Sequence, residues 1–383
     1  MTWRSLWVSV LGLTVAMLAG CGPTSLDKAM SRLDDRPDWK TYHKPDVPRH
    51  PAEKHLQGWF IVLDPGHGGE AHKKGYKRGP TGVREAEMNW RVAKLLERLL
   101  VDAGVHVTLT RHSDEFIGLK ERAEIANNLP RPDGKIGADL FISLHHNASS
   151  RESANFSSVW YHGEADWAEP SLDVAKYIAH RLGAEMRTNV AKTSPLLSDQ
   201  LMYAGGFGVL RQSHVPAVLC ESSFFSNKAE EQRLRDADHN LVEAYAIYLG
   251  LCEYAYGGRP TQTLPTVELS GDTLRISTVL DDGLDKQWWG HERDRTLSST
   301  ISVYLEGKRL DAHYDQAAKT VTAMTQADQV AAIADGGLTL EVHHANKLKH
   351  HNYPQRYQII TDPNADGAFL VTPLGPRRAE PQP

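Results

Sequence analysis

Apolar runs alternate with amphipathic stretches between residues 58 and 256. Five short apolar runs predict strands, at residues 59–64, 105–110, 140–144, 157–162 and 217–220. Apolar residues at helical spacing, such as Leu172, Ala175, Ile178, Ala179 and Leu182, predict a helix with a core-facing stripe. Four helices are predicted, at residues 85–103, 119–128, 171–187 and 228–256. This alternation predicts an α/β fold, with a mostly parallel twisted sheet flanked by helices.

The pattern changes after residues 257–265, a stretch whose Gly, Pro and Thr content is typical of a linker. Period-two runs separated by Gly, Asp and Asn then predict short strands. These runs lie at residues 273–279, 299–306, 320–323, 338–343 and 357–360. We therefore expect a small all-β sandwich of immunoglobulin-like type over residues 266–362. A disordered, proline-rich tail is expected over residues 363–383.

The first 20 residues have the layout of a secretory signal, with Arg4 before an apolar core and small residues at the cleavage site. Leu-Ala-Gly-Cys matches the lipobox of bacterial lipoproteins, which implies cleavage before Cys21 and lipidation of its sulfur. An ordinary secretory cut beside a chance cysteine is the alternative. Residues 21–57 are polar and rich in proline, as expected of a tether. By analogy, Gly22 after the cysteine favours the outer membrane, with the protein facing the periplasm.

Composition narrows the class of protein further. The 383 residues carry a net charge of −5 without a basic stripe, so no nucleic-acid partner is expected. Beyond the signal segment, no apolar run is long enough to cross a bilayer. Besides Cys21 the chain has Cys220 and Cys252, which could form one disulfide or remain as buried thiols.

The stretch IVLDPGHGGE ends a predicted strand with a glycine-rich turn around His67. A lone histidine there would most simply be a turn residue. Three other stretches change that view, because each brings a metal-binding or acid–base side chain to a strand end or a helix start. They contribute Glu85 at the start of a helix, His145 or His146 after the strand at 140–144, and Glu221 after the strand at 217–220.

Two imidazoles and one carboxylate suit Zn²⁺ with an open fourth position. Bound zinc lowers the pKa of water and polarises a carbonyl, and a second carboxylate can act as general base and then as proton donor. The residues therefore suffice for metal-assisted amide hydrolysis. There is no HExxH motif, so residue types and spacing alone support a zinc site and a purely structural role of these side chains equally.

Residues 59–256 resemble the zinc-dependent N-acetylmuramoyl-L-alanine amidases of bacterial cell walls, the amidase type 3 family. The resemblance is carried by five ordered motifs: LDPGHGG, GVREAEMNW, VTLTRHSDEFIGLKERAEIAN, ADLFISLHHNA and GVLRQSHVPAVLCESSFFSN. It implies an enzyme that cleaves the bond between N-acetylmuramic acid and L-alanine in peptidoglycan.

By position, the resemblance implies that His67, Glu85 and His145 bind Zn²⁺ and that Glu221 is the catalytic acid and base. His146 falls on a variable position, and Glu87 on the acidic residue that follows the ligand. The chain departs from the family pattern at Ala86, where lysine is usual, and around Glu221, where CESSF replaces V-E-x-G-F. The floor beside Glu221 is therefore expected to have a different shape.

Two other functions remain in competition with the amidase. One keeps the zinc site and cuts another bond of the same polymer, as a peptidase or a deacetylase would. The other is a lipoprotein that binds the wall without catalysis. Peptidoglycan, the membrane reached through lipidated Cys21, and an activator protein are the candidate partners.

Side chains outside this set have simpler expected roles. Asp64 or Asn147 is expected to orient the ligands, and Arg122 to form a structural ion pair. His214 is expected in a loop. For Arg211, a surface position and a contact with the substrate are equally expected. In the C-terminal segment, adjacent tryptophans at 288 and 289 are expected in the sandwich core.

Overall fold

The computed structural model describes residues 47–163, 165–188, 196–290, 294–326, 337–363 and 368–374. The signal segment, Cys21 and most of the predicted tether lie outside these ranges. The chain divides into two units, Met1–His50 and Pro51–Pro383, and the elements below belong to the second. Within the described part, no helix has the length and apolar character needed to span a membrane.

A six-stranded sheet forms the centre of the N-terminal half. Its strands are β1 Phe60–Pro65, β2 His106–Leu109, β3 Leu140–Asn147, β4 Ser158–Tyr161, β5 Leu196–Ser198 and β6 Ala217–Phe224. Across the sheet they follow the order β2-β1-β3-β6-β4-β5. Strands β2, β1, β3 and β6 run parallel to one another, β4 runs antiparallel to β6, and β5 is parallel to β4. The prediction of a mostly parallel sheet is confirmed.

Six helices accompany this sheet: α1 Glu85–Asp102, α2 Leu119–Asn127, α3 Ala165–Glu185, α4 Gly208–Arg211, α5 Lys228–Leu234 and α6 Ala237–Tyr256. Short 3₁₀ helices occur at Pro51–Leu56, Asp199–Leu201 and Ser298–Thr300. The single helix predicted over residues 228–256 is wrong, because Asp236 accepts a hydrogen bond from the Asp238 backbone N–H and so starts a new helix. Gly250 lets α6 approach α3, since a Cβ there would lie 2.8 Å from the Ile178 Cα.

In the described part of the C-terminal half, the strands are antiparallel and a short α-helix, α7 Lys286–Trp289, lies between two of them. The strands are β7 Thr261–Gln262, β8 Thr266–Ser270, β9 Thr273–Asp281, β10 Ser302–Leu305, β11 Lys308–Leu310, β12 Ala312–Asp315, β13 Thr320–Gln326, β14 Leu338–His343, β15 Arg356–Thr361 and β16 Phe369–Leu374. One sheet has the order β11-β10-β14-β15-β16; the other has the order β12-β13-β9-β7, with β8 paired to β9.

Both sheets contribute to one apolar core, which includes Ile276, Val321, Val303 and Leu340. The prediction of an all-β sandwich is confirmed. The sandwich extends beyond its predicted limits at both ends, because β7 lies in the predicted linker and β16 in the predicted tail. The tryptophans at 288 and 289 lie on α7 instead of in this core, and Trp288 is 61% exposed.

Both candidate disulfide cysteines are buried free thiols. Cys220 lies within β6 and Cys252 within α6. Of the two alternatives that the sequence left open, the structure therefore shows the buried thiols.

The β-sandwich contacts helix α3 through polar side chains. The His351 ring nitrogen Nδ1 lies 2.9 Å from the Asp173 carboxylate, and His350 Nε2 lies 2.8 Å from the Tyr177 hydroxyl. His343 lies between two carboxylates, 3.5 Å from Glu169 on α3 and 3.5 Å from Glu341 on β14. His343, His350 and His351 therefore each join the sandwich to α3.

The position of His343 predicts a pH-dependent stability. Burial opposes protonation, but Glu169 and Glu341 outweigh it and raise the pKa of His343 to about 9. A raised folded-state pKa gives stability that is fully present below pH 6.5 and lost as the pH rises through about 9. His343→Gln should thus lower the melting temperature at pH 6 more than at pH 9.5, as differential scanning fluorimetry would measure. His313→Gln, on the exposed strand β12, is the matched control, and an equal loss at both pH values would contradict the prediction.

Candidate metal centre

The turn after β1 holds His67 in a left-handed conformation, with φ at 59°. Such a φ is uncommon for a residue with a side chain and marks a position fixed by its surroundings. The residues on either side of it, Gly66 and Gly68, have no room for side chains. A Cβ on Gly66 would lie 2.2 Å from the His145 ring, and a Cβ on Gly68 would lie 2.2 Å from the Glu115 carbonyl oxygen. The glycines flanking His67 therefore allow the imidazole of a second strand to pack directly against this turn.

Two buried arginines fix the same turn by donating to its carbonyl groups. Arg111 donates to the carbonyl oxygens of Pro65 and Gly66, at 2.7 and 3.3 Å. Arg122 donates to the carbonyl oxygen of His67 at 2.8 Å and to the Asp64 carboxylate at 2.6 Å. The expectation that Arg122 forms a structural ion pair is confirmed, and its second role is to hold the backbone of His67.

Loss of Arg122 should strongly destabilise the fold. Asp64 is fully buried, and Arg122 holds the pKa of its carboxyl below the usual range against the effect of burial. Arg122→Met would leave that charge without its partner, which costs about 3–5 kcal/mol in comparable buried pairs. Urea unfolding would measure this change. Lys120→Gln, on an exposed position of the same helix, should change stability by less than about 0.5 kcal/mol. A similarly small effect of Arg122→Met would show the pair to be dispensable.

The structure brings His67, Glu85 and His145 together. One ligand atom from each lies within 4.8 Å of the others, which makes the group a candidate metal site. Glu85 Oε1 lies 3.0 Å from His145 Nδ1, and Glu85 Oε2 lies 3.2 Å from His67 Nε2. This last contact lacks hydrogen-bond geometry, so among the described residues both of its atoms are buried without a hydrogen-bond partner. Buried polar atoms without partners that face one another are suited to a bound cation.

The charge states of these groups also suit a metal. Burial would raise the pKa of Glu85, but its hydrogen bond with His145 and its close contact with His67 outweigh this effect and hold that pKa well below its usual range. Burial lowers the pKa of His145. An ionised carboxylate and a neutral imidazole are the forms that bind divalent metals. The donor set is therefore prepared for such an ion without further proton loss from these two groups.

Glu221 lies beside this group, because it is the register partner of His145 between β6 and β3. Burial and the nearby charge of Glu85 raise the pKa of its carboxyl well above the usual range. Glu221 Oε2 is buried and, in the described part of the chain, has no hydrogen-bond partner. A carboxyl group with a raised pKa next to a metal site is a candidate for accepting and returning a proton.

His146 faces the interior, and the site depends on it indirectly. Its ring nitrogens lie 2.8 Å from Asn89 Oδ1 and 2.9 Å from the buried carboxylate of Glu243 on α6. Asn89 in turn donates to the carbonyl oxygen of Gly66, at 3.2 Å. The register of β3 against β6 shifts between His145 and Asn147, at the position of His146. The two adjacent histidines therefore have separate roles, one in the candidate metal site and the other beneath it.

The remaining candidates occupy structural positions. Asp64 has no described hydrogen bond to either histidine of the cluster and reaches the His67 backbone through Arg122. Asn147 accepts a hydrogen bond from the Ala148 backbone N–H. Arg211 donates to the Gly205 carbonyl oxygen, and the His214 backbone N–H donates to Asn127. Among these contacts, none places Asn147, Arg211 or His214 at the cluster.

Two side chains at the site were not anticipated from the sequence. Lys77 Nζ lies 3.6 Å from Glu85 Oε2, and the Tyr76 ring packs edge-on to His67 with ring centroids 6.4 Å apart. Burial works against the charge of Lys77, but Glu85 and Glu221 outweigh it and raise its pKa. The signal available in the sequence was the basic stretch HKKGYKR, which lies between His67 and Glu85.

A separate cavity of about 690 Å³ lies between the two halves of the second unit. Its walls include Arg131, Tyr254, Arg259 and Tyr353. Ala138 and Pro216, which precede β3 and β6, also line it, so it opens at the opposite edge of the sheet from His145 and Glu221. None of the cluster residues lines this cavity, and the chemistry of the site does not depend on it.

The fold and the site together define a class, that of α/β proteins with a candidate metal centre at the carboxyl ends of parallel strands. The family model described as N-acetylmuramoyl-L-alanine amidase matches residues 61–253, which is half of the chain. The chain therefore belongs to this family. The matched segment contains all four residues of the cluster and its adjacent carboxylate, His67, Glu85, His145 and Glu221.

Curated relatives include probable cell wall amidases named LytH. That of Staphylococcus epidermidis is 31% identical over 199 residues, which are 52% of this chain and 59% of the relative. That of Staphylococcus aureus is 32% identical over 200 residues, again 52% and 59%. The chain thus spans about three fifths of the length of these relatives. A solved structure, the catalytic domain of the amidase CwlV from Bacillus (Paenibacillus) polymyxa, has 29% identity and a TM-score of 0.43, covering 51% of this chain and 97% of its own.

Proposed function

We propose that the protein hydrolyses the amide bond between N-acetylmuramic acid and L-alanine in peptidoglycan. The observation that carries this proposal is the convergence of His67, Glu85 and His145 with Glu221 directly beside them in strand register. Family membership supports the choice of bond. The named activity of the relatives, that of a probable cell wall amidase, supports the polymer.

His67, Glu85 and His145 would hold Zn²⁺, whose usual ligands in catalytic sites are this kind of mixed imidazole and carboxylate set. When bound, the ion supplies Lewis-acid polarisation of the scissile carbonyl and lowers the pKa of water. Glu221 would take the proton from the attacking water and return it to the leaving amine of L-alanine. Its raised pKa suits this shuttle, because the group must hold the proton between the two transfers.

The metal-loaded protein should release stem peptides from purified peptidoglycan, and a chelator should abolish that release. Zinc added back should restore it. Mass spectrometry of the digest identifies the bond, since only an amidase leaves intact glycan strands and free peptides that begin with L-alanine. Products with cut peptides would instead support a peptidase, and loss of acetyl groups a deacetylase. Binding to the wall without any product would support a non-catalytic role.

We also propose that the protein is a lipoprotein, anchored through Cys21 and facing the periplasm from the outer membrane. The lipobox Leu-Ala-Gly-Cys and the polar segment that follows it support this location. Two lipid chains generally suffice for stable anchoring. Cys21→Ser should abolish incorporation of labelled fatty acid into the protein. Unchanged labelling of the variant would contradict the lipid anchor.

A further inference from the structure

A basic loop at residues 71–78 lies next to the candidate metal centre. Lys73, Lys74, Lys77 and Arg78 place four cations within six residues, in a chain whose net charge is −5. The side chains at 71–77 are exposed. This local charge is therefore available to a partner from solvent.

The base of the loop is held firmly beside α1. The Glu85 backbone N–H donates to the Lys77 carbonyl oxygen at 3.0 Å, and Arg78 pairs with Arg84 in an antiparallel bridge. The buried carboxylate of Glu231, on α5, accepts hydrogen bonds from the backbone N–H groups of Thr81 and Val83. Lys77 is thus attached to the same rigid turn that starts the helix of Glu85.

Lys77 is the cation that reaches the site. Its ammonium group lies 3.6 Å from Glu85 Oε2, while Tyr76 packs against His67. Lys77 has a φ of 48°, a left-handed conformation that the surrounding hydrogen bonds maintain. If Glu85 serves as a metal ligand, its charge is committed to the metal, and the ammonium group of Lys77 is left beside the scissile bond with capacity for a different anion.

The other cations add a positive field around this position. Arg78 donates only to neutral carbonyl groups in its described contacts, those of Gly82 and Ala71. Lys73 lies 3.4 Å from Glu70 and remains half exposed. Lys74 is exposed, and no ion pair is found for it in the described part of the chain. These charges would attract an anionic group to the loop, where Lys77 would make the direct contact with it.

We propose that the basic loop recognises a free carboxylate of the stem peptide, with Lys77 in direct contact and therefore determining specificity. This inference rests on the proposed function, since the peptide must lie beside the metal centre for its amide to be cut. A phospholipid headgroup is the other anion to consider. The stem peptide is the better fit, because its amide must already lie at the metal centre to be cut, and Lys77 is 3.6 Å from Glu85 of that centre.

The test uses the full-length, zinc-loaded protein and two soluble muramyl peptides. They differ in one group, a free α-carboxylate or a carboxamide at the second residue of the stem. The wild type should prefer the carboxylate by about tenfold in kcat/KM, the typical size for one charge-assisted contact. Lys77→Gln should reduce this ratio to about one, and Lys77→Arg should retain most of it. Lys120→Gln removes an exposed lysine elsewhere and should keep the wild-type ratio.

Binding is measured separately from turnover. In the background of Glu221→Gln, the Kd values for the same two peptides should show the same preference and the same loss with Lys77→Gln. Zinc content is determined for every variant, because Lys77 lies close to Glu85. An equal loss of rate on both peptides would point to an effect on the metal site and would overturn the proposal.

The remaining outcomes distinguish a failure of the proposed amidase function from a failure of the basic-loop proposal. If the wild type hydrolyses neither peptide, the proposed function fails, and the Kd ratio alone then judges the basic loop. If hydrolysis occurs with equal kcat/KM for both peptides, the amidase function stands and the loop proposal is overturned. Lys77-dependent binding to phosphatidylglycerol vesicles, without peptide discrimination, would assign the loop to lipid and overturn it as well.

Discussion

Glu221→Gln should leave metal binding intact and reduce amide hydrolysis by roughly a thousandfold, within the range for loss of a general acid–base group. The amide side chain keeps the size of the carboxyl group but cannot accept the proton of water. Glu221 is not one of the three clustered ligand residues, so zinc content should not change. Reversed-phase chromatography of peptides released from purified peptidoglycan would measure the rate, and atomic absorption the metal.

Two other outcomes of this experiment would contradict the proposed role of Glu221. Activity within about tenfold of wild type would remove Glu221 from proton transfer, since a tenfold change corresponds to only about 1.4 kcal/mol of barrier. Loss of zinc together with activity would instead make Glu221 part of the metal site. Retention of zinc and the wild-type melting temperature, with activity lost, is the combination that supports the proposed role.

Glu85→Gln should weaken zinc binding by more than about a hundredfold and abolish hydrolysis with it. Substitution of the groups that merely orient metal ligands already costs about 10–100-fold in affinity, and Glu85 contacts both imidazoles of the cluster. Competition with a fluorescent zinc chelator would measure the affinity. The amide would also change the charge near Lys77, so folding should be checked by circular dichroism.

Glu87→Gln provides the matched control on the same helix. Glu87 lies two residues further along α1, where its side chain is 44% exposed and paired with Arg91. Its substitution should leave zinc affinity and activity close to wild type, because an exposed ion pair contributes little. If Glu87→Gln lost zinc and Glu85→Gln did not, the choice between the two glutamates would be wrong.

Much of the catalytic half could be predicted because its signals are local. Apolar runs located β1, β3 and β6, and His67, His145 and Glu221 lie at or near their carboxyl ends, whereas Glu85 begins α1. Both β3 and β6 extend further than predicted, to Asn147 and Phe224, so His145 and Glu221 lie within strands instead of after them. Polar residues could not signal that extension, because strand pairing satisfies their backbone groups whatever the side chains do.

The missed features depend on contacts between distant parts of the chain. Arginine is usually found on the surface, yet Arg111 is almost completely buried. Its N–H groups donate hydrogen bonds to carbonyl groups of the His67 turn. Lys77 is 8 residues from Glu85 along the chain, and only the folding of the loop brings its ammonium group to that carboxylate. Strand β16 includes Pro373, which is tolerated because β16 is an edge strand.

The hydrogen bond between His146 and Glu243 has a consequence for variation in the protein's interior. An aliphatic residue at position 243 would suit a buried helix, but it would leave the imidazole of His146 without its partner next to Asn89. The hydrogen bond from Asn89 to the Gly66 carbonyl oxygen would then lose support from below, and the imidazole of His145 packs directly on Gly66. A position in helix α6 is thereby tied, through His146 and Asn89, to the geometry of the candidate metal centre.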